Sequence, residues 1–258
     1  MSYRGLSLLL SLTLAGLTGC GSGKPVRVSP ESALRDQCGS VPSGVRRVIL
    51  RARDGVRLGA AALGPADARV GVVLVHGLNQ SLCDWLEEIG EVVEETHAQV
   101  VIPDRRGTGS SEGAPNMTRY VEDTIDALHW LKSGGAVRFA VMGTSYGAPI
   151  ALAAGKKAGS ENIPICAAVA ISPLQAISDR SGSVDPMVAK EPLPKTWIAT
   201  EEGNTDIASN AKEIFSHVNT RNRGELLFVP GKDHSTGLVK NHPEAGRLIK
   251  DAILSCSP

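Results

Sequence analysis

The stretch from Val137 to Lys157, VRFAVMGTSYGAPIALAAGKK, constrains this chain more than any other. Val, Phe, Ala and Met run up to Gly143 as in a buried strand, and the Ala/Ile/Leu-rich run from Pro149 onward has the composition of a helix. Ser145 falls on the turn between them. A strand that becomes a helix within one or two residues strains its central residue, and the residues two positions away must be small to avoid collision. Gly143 and Gly147 meet that demand. The helix that follows aims unsatisfied N–H groups at the same point, where an oxyanion would be held. This is the design of a nucleophile elbow, with Ser145 as the candidate nucleophile.

The five-letter pattern Gly-x-Ser-x-Gly is weak alone. With 28 Gly and 23 Ser in 258 residues, about 0.3 matches are expected by chance. A second match does occur, Gly109-Ser110-Ser111-Glu112-Gly113. Polar and Gly positions separate it from Pro103, and Ala114-Pro115-Asn116 follow it, so Ser111 is expected in a loop and Ser145 at the turn.

At the start of the chain, Arg4 supplies a positive charge, Leu6 to Leu17 is an apolar run too short to span a bilayer comfortably, and Leu17-Thr18-Gly19 precede Cys20. The segment resembles a bacterial lipoprotein signal over residues 1–19. The resemblance implies cleavage before Cys20, lipid on that cysteine and a mature protein held outside the cytoplasm, with Gly21 in place of aspartate pointing to the outer membrane. An ordinary secretory signal with an incidental Cys20 is the plainer alternative. Residues 20–44 are rich in Gly, Ser and Pro without periodicity and read as a flexible tether. The remaining 45–258 has the size of one α/β domain with one sizeable core.

Formal net charge is zero for the full chain and about −1 once the signal, with Arg4, is removed. Nothing in that balance points to nucleic acid, and no further apolar segment is long enough for a membrane span. Cys38, Cys83, Cys166 and Cys256 suit an oxidising compartment and allow three pairings. Cys38 with Cys256 would staple the ends of the domain, and Cys166, in an apolar run, would serve as a buried thiol.

From Val45 strands alternate with helices, the pattern of a mostly parallel sheet covered on both faces. Arg47–Arg53 and Val56–Ala62 flank Asp54-Gly55 as a hairpin. Further strands are expected at Val70–Val75, Gln99–Ile102, the run before Gly143, Ile165–Ile171, Thr196–Ala199 and Glu225–Val229. Helices are expected at Leu82–Thr96, Met117–Lys132, after the elbow, Asn204–Asn219 and Pro243–Leu254. That makes eight strands.

Four motifs in register carry a family resemblance: Leu74-Val75-His76-Gly77-Leu78, Asp104-Arg105-Arg106-Gly107-Thr108-Gly109-Ser110-Ser111, Gly143-Thr144-Ser145-Tyr146-Gly147 and Pro230-Gly231-Lys232-Asp233-His234. From Arg47 to Leu254 the chain resembles an α/β-hydrolase of the serine esterase kind. The resemblance implies an eight-stranded sheet with helices on both faces, and a Ser-His-acid triad. A serine hydroxyl needs a base to take its proton and a third group to fix that base. His234, in the polar loop after the last strand, is the candidate base, with His242 as alternative; His76 lies in the oxyanion loop. The family's acid follows the seventh strand, often as Gly-x-x-Asp, and here the segment reads Ile198 to Asp206 without a clean match. Counting from the strand end gives Glu202; Asp206 would reach in from a longer turn, and Glu201 is a third candidate. The backbone N–H groups of Leu78 and Tyr146 are the expected oxyanion donors. Asp104, Arg105 and Arg106 would brace the loop beneath the elbow, with contact to the substrate by Arg105 or Arg106 as the alternative.

No Cys/His/carboxylate spacing suggests a metal and no phosphate loop suggests a nucleotide, so no cofactor is expected. Only Ser172 to Lys195 is available for a cap, too little for a full one. The expectation is a monomeric hydrolase of small esters or acyl substrates with an open cleft, attached to the membrane only by lipid. A peptidase or thioesterase on the same fold, or a non-catalytic lipoprotein that binds partners, are the alternatives.

Overall fold

The computed structural model describes residues 26–188 and 191–257. The lipoprotein signal and Cys20 lie outside the described residues. Ten strands form: β1 (Arg46–Arg51), β2 (Arg57–Leu63), β3 (Val70–Val75), β4 (Gln99–Pro103), β5 (Arg138–Thr144), β6 (Ile165–Ile171), β7 (Ile177–Asp179), β8 (Gly182–Val184), β9 (Thr196–Glu201) and β10 (Arg223–Val229). Eight make one sheet in the order β1-β2-β4-β3-β5-β6-β9-β10. The β1/β2 hairpin and the β2/β4 pair are antiparallel, and the rest are parallel. The eight-stranded, mostly parallel sheet is as expected from the sequence.

The central strands read as unbroken apolar runs because both faces are covered. Val73, Val141 and Ala170 point to one side, with Leu128 and Leu131 of α3 (Met117–Ser133), Ile150 and Ala151 of α4 (Gly147–Ala158) and Ile214 of α5 (Thr205–His217). Val72, Met142 and Val169 point to the other. There they meet Val92 and Val93 of α2 (Gly90–Thr96), Leu238 of α6 (Thr236–Asn241) and Leu248 and Ile249 of α7 (Pro243–Leu254).

Three expectations are corrected. The helix expected over Leu82–Thr96 is broken into a 3-10 turn, Leu82–Trp85, and the short α2. Ser81 and Asp84 form a capping box that starts the turn early, and buried Leu82, Trp85, Leu86 and Ile89 hold the connecting path down. The segment expected as a tether is docked over residues 26–44. In α1 (Leu34–Cys38) Leu34 is buried, Gln37 Nε2 donates to Asp104 Oδ2 at 2.7 Å, and Val28 N–H donates to Gly109 O at 3.2 Å. The disulfides are Cys38–Cys83 and Cys166–Cys256, not Cys38–Cys256. Cys38 is held over the 3-10 turn by the docking of α1, while Cys256, beyond α7, reaches Cys166 at the start of β6; Cys166 is therefore no free thiol. The span from Ser172 to Lys195, too short for a full cap, holds a small hairpin, β7 with β8. No helix of the described residues is long and apolar enough to cross a membrane.

Candidate active site

The site forms at the C-terminal edge of the parallel strands. Ser145 follows β5 with φ of 49°, its N–H donates to Ile171 O at 2.9 Å, and its C=O accepts from Ala148 N–H at 3.1 Å as α4 begins. A Cβ on Gly143 would lie 2.3 Å from Gly147 O, and one on Gly147 would lie 2.2 Å from Val75 O. Backbone blocks both positions, so only glycine lets the turn close. The consequence is a serine raised above the sheet at the start of a helix.

His234 and the carboxylate it meets come from the last two strands of the sheet, β10 at the edge and β9 beside it. His234 follows β10, and its Nδ1 lies 2.7 Å from Glu201 Oε1. Glu201 is the last residue of β9, is wholly buried, and pairs in register with Val229 of β10. It shares a face of the strand with Trp197 and Ala199, the face over which the β10–α6 loop folds. Glu201 Oε2 has no hydrogen-bond partner among the described residues. A buried carboxylate against one imidazole N–H fixes the ring's tautomer and orientation. Glu202 and Asp206 do not meet His234: both are exposed, Glu202 in the turn after β9 and Asp206 in the first turn of α5. Of the three candidate acids it is Glu201, the third, that meets His234, because β9 continues two residues past Ala199 and carries Glu201 to the edge. The signal was the alternation Trp197, Ala199, Glu201, which extends the strand.

The loop after β3 supplies the second wall. His76 is fully buried; its Nε2 accepts from Arg105 N–H at 3.2 Å, so the proton sits on Nδ1 and is donated to Gly77 O at 3.0 Å. Burial, then the Arg105 charge, pushes its pKa down to about 4, so His76 is neutral and structural near pH 7. A Cβ on Gly77 would come 3.5 Å from Ser145 Cβ, which places this loop against the serine. Gln80 ties the loop to the rest of the site: its Oε1 accepts from Gly77 N–H at 2.9 Å and Ser235 Oγ at 3.0 Å, and its Nε2 donates to Thr236 Oγ1 at 3.2 Å. Ser235 Oγ also lies 3.0 Å from Thr144 Oγ1, and Ser235 N–H donates to Ser172 Oγ at 3.0 Å. These bonds hold the loop of Leu78, the end of β5 and the loop of His234 as one unit; sequence reasoning missed Gln80, whose isolated position carried no spacing signal. Leu78 and Tyr146 N–H donate to no acceptor among the described residues. Ser145 Oγ likewise makes no hydrogen bond among them; in such sites the serine–histidine contact often tightens only when substrate binds.

Asp104, Arg105 and Arg106 form the brace beneath. Asp104 Oδ2 accepts from Gln37 and from both N–H and Oγ of Ser110, each at 2.7 Å, and Oδ1 accepts from Leu82 N–H at 2.9 Å. Ser111, the rival serine, is buried and donates to Asp104 O at 2.6 Å. A Cβ on Gly109 would fall 2.3 Å from the Asp104 carboxyl, so the second Gly-x-Ser-x-Gly match is set by packing around that carboxylate. His242, the alternative base, pairs with Asp233 at 3.1 Å. Among the described residues no group of three or more His, Cys, Asp or Glu is arranged to hold a metal ion.

This architecture, with a serine elbow after the fifth sheet strand and a histidine after the eighth, defines the class: the chain has the α/β-hydrolase fold. A family model described as alpha/beta hydrolase fold matches residues 71–195. Among solved structures it is similar to the Pyrococcus furiosus esterase Pf2001, at 17% identity and a TM-score of 0.66 over 92% of this chain and 98% of that one. An esterase from Pyrobaculum calidifontis is similar at 18% identity and a TM-score of 0.67, over 86% of this chain and 88% of that one. Carboxyl esterase 2 of Tuber melanosporum gives 16% and 0.66, over 84% and 88% respectively. No curated protein matches the sequence significantly.

Proposed function

We propose that the protein is a serine hydrolase that cleaves carboxylic esters through an acyl-enzyme. The observation that carries this reading is the 2.7 Å contact of His234 with buried Glu201, at the sheet edge where Ser145 stands on a strained turn. The names of the similar structures, esterases from three organisms, agree with it. His234 takes the Ser145 proton as Oγ attacks the ester carbonyl. The oxygen, now an anion, is held by the N–H groups of Leu78 and Tyr146, each worth about 3 kcal/mol in a dry site. His234 then protonates the leaving alcohol, and the same base activates water to release the acid. The small β7/β8 hairpin leaves the cleft open, which suits compact esters.

A fluorophosphonate probe tests the reading, because it reacts only with an activated serine. The adduct is expected on Ser145, located by peptide mass spectrometry, and absent in His234→Ala. A folded protein that takes up no label would favour the binding-module alternative.

The proposed location is the bacterial envelope, with lipid on Cys20. Two disulfides support an oxidising compartment. Palmitate incorporation in cells, lost in Cys20→Ser, is the expected result; label retained in that variant would remove the anchor.

A further inference from the structure

A cleft of about 260 Å³ beside the oxyanion loop carries charge that the proposed reaction does not use. Its walls include Leu78, Asn79, Gln80 and Thr108, and two arginines, Arg27 and Arg105; none of its lining residues is acidic. Arg105 is 7% exposed. Burying a guanidinium is costly unless a carboxylate pairs with it, and the neighbouring Arg106 obeys that rule with Asp123 at 2.6 Å and Asp54 at 2.8 Å. Arg105 has no carboxylate within salt-bridge distance among the described residues. It donates to Gly77 O at 3.1 Å and stacks on the rings of Tyr146 and Tyr120, at 4.6 and 5.6 Å. The nearby Asp104 has both oxygens engaged by Gln37, Ser110 and Leu82. Arg27 is exposed at the mouth and makes no ion pair among the described residues. Bracing of Gly77 accounts for one donor of Arg105; it accounts neither for Arg27 nor for a positive cleft without an acid.

We propose that this cleft is the subsite for a carboxylate carried by the ester substrate, held by Arg27 and Arg105 a short chain away from the scissile carbonyl. The inference rests on the serine-hydrolase reading. Leu78 joins the two: its N–H is an oxyanion donor, and its side chain, 59% exposed, lines the cleft. An apolar spacer of a few carbons would lie on that side chain while the carboxylate reaches the arginines.

The test compares esters that differ by a terminal carboxylate in place of a methyl group: monomethyl glutarate against methyl valerate, and 3-acetoxypropionate against propyl acetate. Released acid is titrated. In at least one pair kcat/KM should favour the charged ester by about tenfold, less at high salt. Arg27→Glu, at the surface, should abolish that preference; Arg105→Met should weaken it, although that variant also loosens Gly77. Calorimetry of glutarate binding reads the subsite without chemistry, and Arg27→Glu should eliminate the binding. Neutral esters cleaved as well as charged ones, or a preference untouched by Arg27→Glu, overturns the subsite and leaves the hydrolase reading standing. If no ester is cleaved, the hydrolase reading falls, and glutarate binding alone decides the subsite: heat lost in Arg27→Glu sustains it, and no heat overturns it.

Discussion

Glu201→Gln is expected to lower kcat about ten-thousand-fold with KM little changed, while Glu202→Gln stays within about twofold of the parent. The two residues are adjacent, so the comparison isolates position from composition. Glu201 Oε1 lies 2.7 Å from His234 Nδ1 with no solvent exposure. An amide there either turns its NH2 toward the ring, which forces the proton to Nε2 and blocks the base, or keeps its oxygen there without the charge that stabilises the imidazolium. A glutamine is close in volume, so β9 keeps its packing and a stability measurement should move far less than the rate. Glu202 is exposed, and water compensates its loss. A large loss in Glu202→Gln with activity retained in Glu201→Gln would show that the histidine loop moves to the other acid in solution, and Asp206→Asn extends the same comparison.

The sequence carried the framework because the sheet's central strands are apolar on both faces and the glycines of the elbow have one explanation each: Gly143 and Gly147 are where a Cβ would strike backbone. The hidden parts depend on contacts between distant segments. Whether β9 ends at Ala199 or Glu201 is decided by its pairing with β10, where Glu201 lies opposite Val229, and a count along the chain cannot supply that partner. Residues 26–44 look featureless because their anchors are scattered single contacts: buried Leu34, Gln37 on a buried carboxylate, the Val28 N–H on Gly109 O, Arg47 on Ser32 O and Gln37, the Glu31–Arg57 ion pair and one disulfide. The break in the expected Leu82–Thr96 helix has a local cause, Ser81 with Asp84, but the partner of Cys83 there, Cys38, comes from a segment 45 residues earlier. Gln80 ties its own loop to the loop of His234 through single hydrogen bonds, an arrangement with no period and no spacing.

Removing either disulfide should cost several kcal/mol, yet only one of them should alter substrate choice. The bridges close separations of 45 residues for Cys38–Cys83 and 90 for Cys166–Cys256. In the chain-entropy account these constrain the unfolded state by roughly 4 and roughly 4.5 kcal/mol, a large part of the stability of an ordinary domain, about 5–15 kcal/mol. Cys166 lies at the start of β6 and Cys256 after α7, at the edge of the sheet opposite Ser145, His234 and Glu201. A Cys166→Ala/Cys256→Ala protein should therefore unfold at lower urea with kcat/KM of the folded fraction preserved. Cys38 instead holds α1, whose Gln37 donates to Asp104 and to which Arg27, at the cleft mouth, is connected by the six residues 28–33. In Cys38→Ala/Cys83→Ala the same urea shift should come with faster proteolysis within residues 26–44, and with a loss of preference for carboxylate-bearing esters while neutral esters are still cleaved. Equal effects of the two pairs on substrate choice would mean that the docked segment does not contribute to the cleft, and a loss below about 1 kcal/mol in either would mean that the bridge constrains little beyond what packing already fixes.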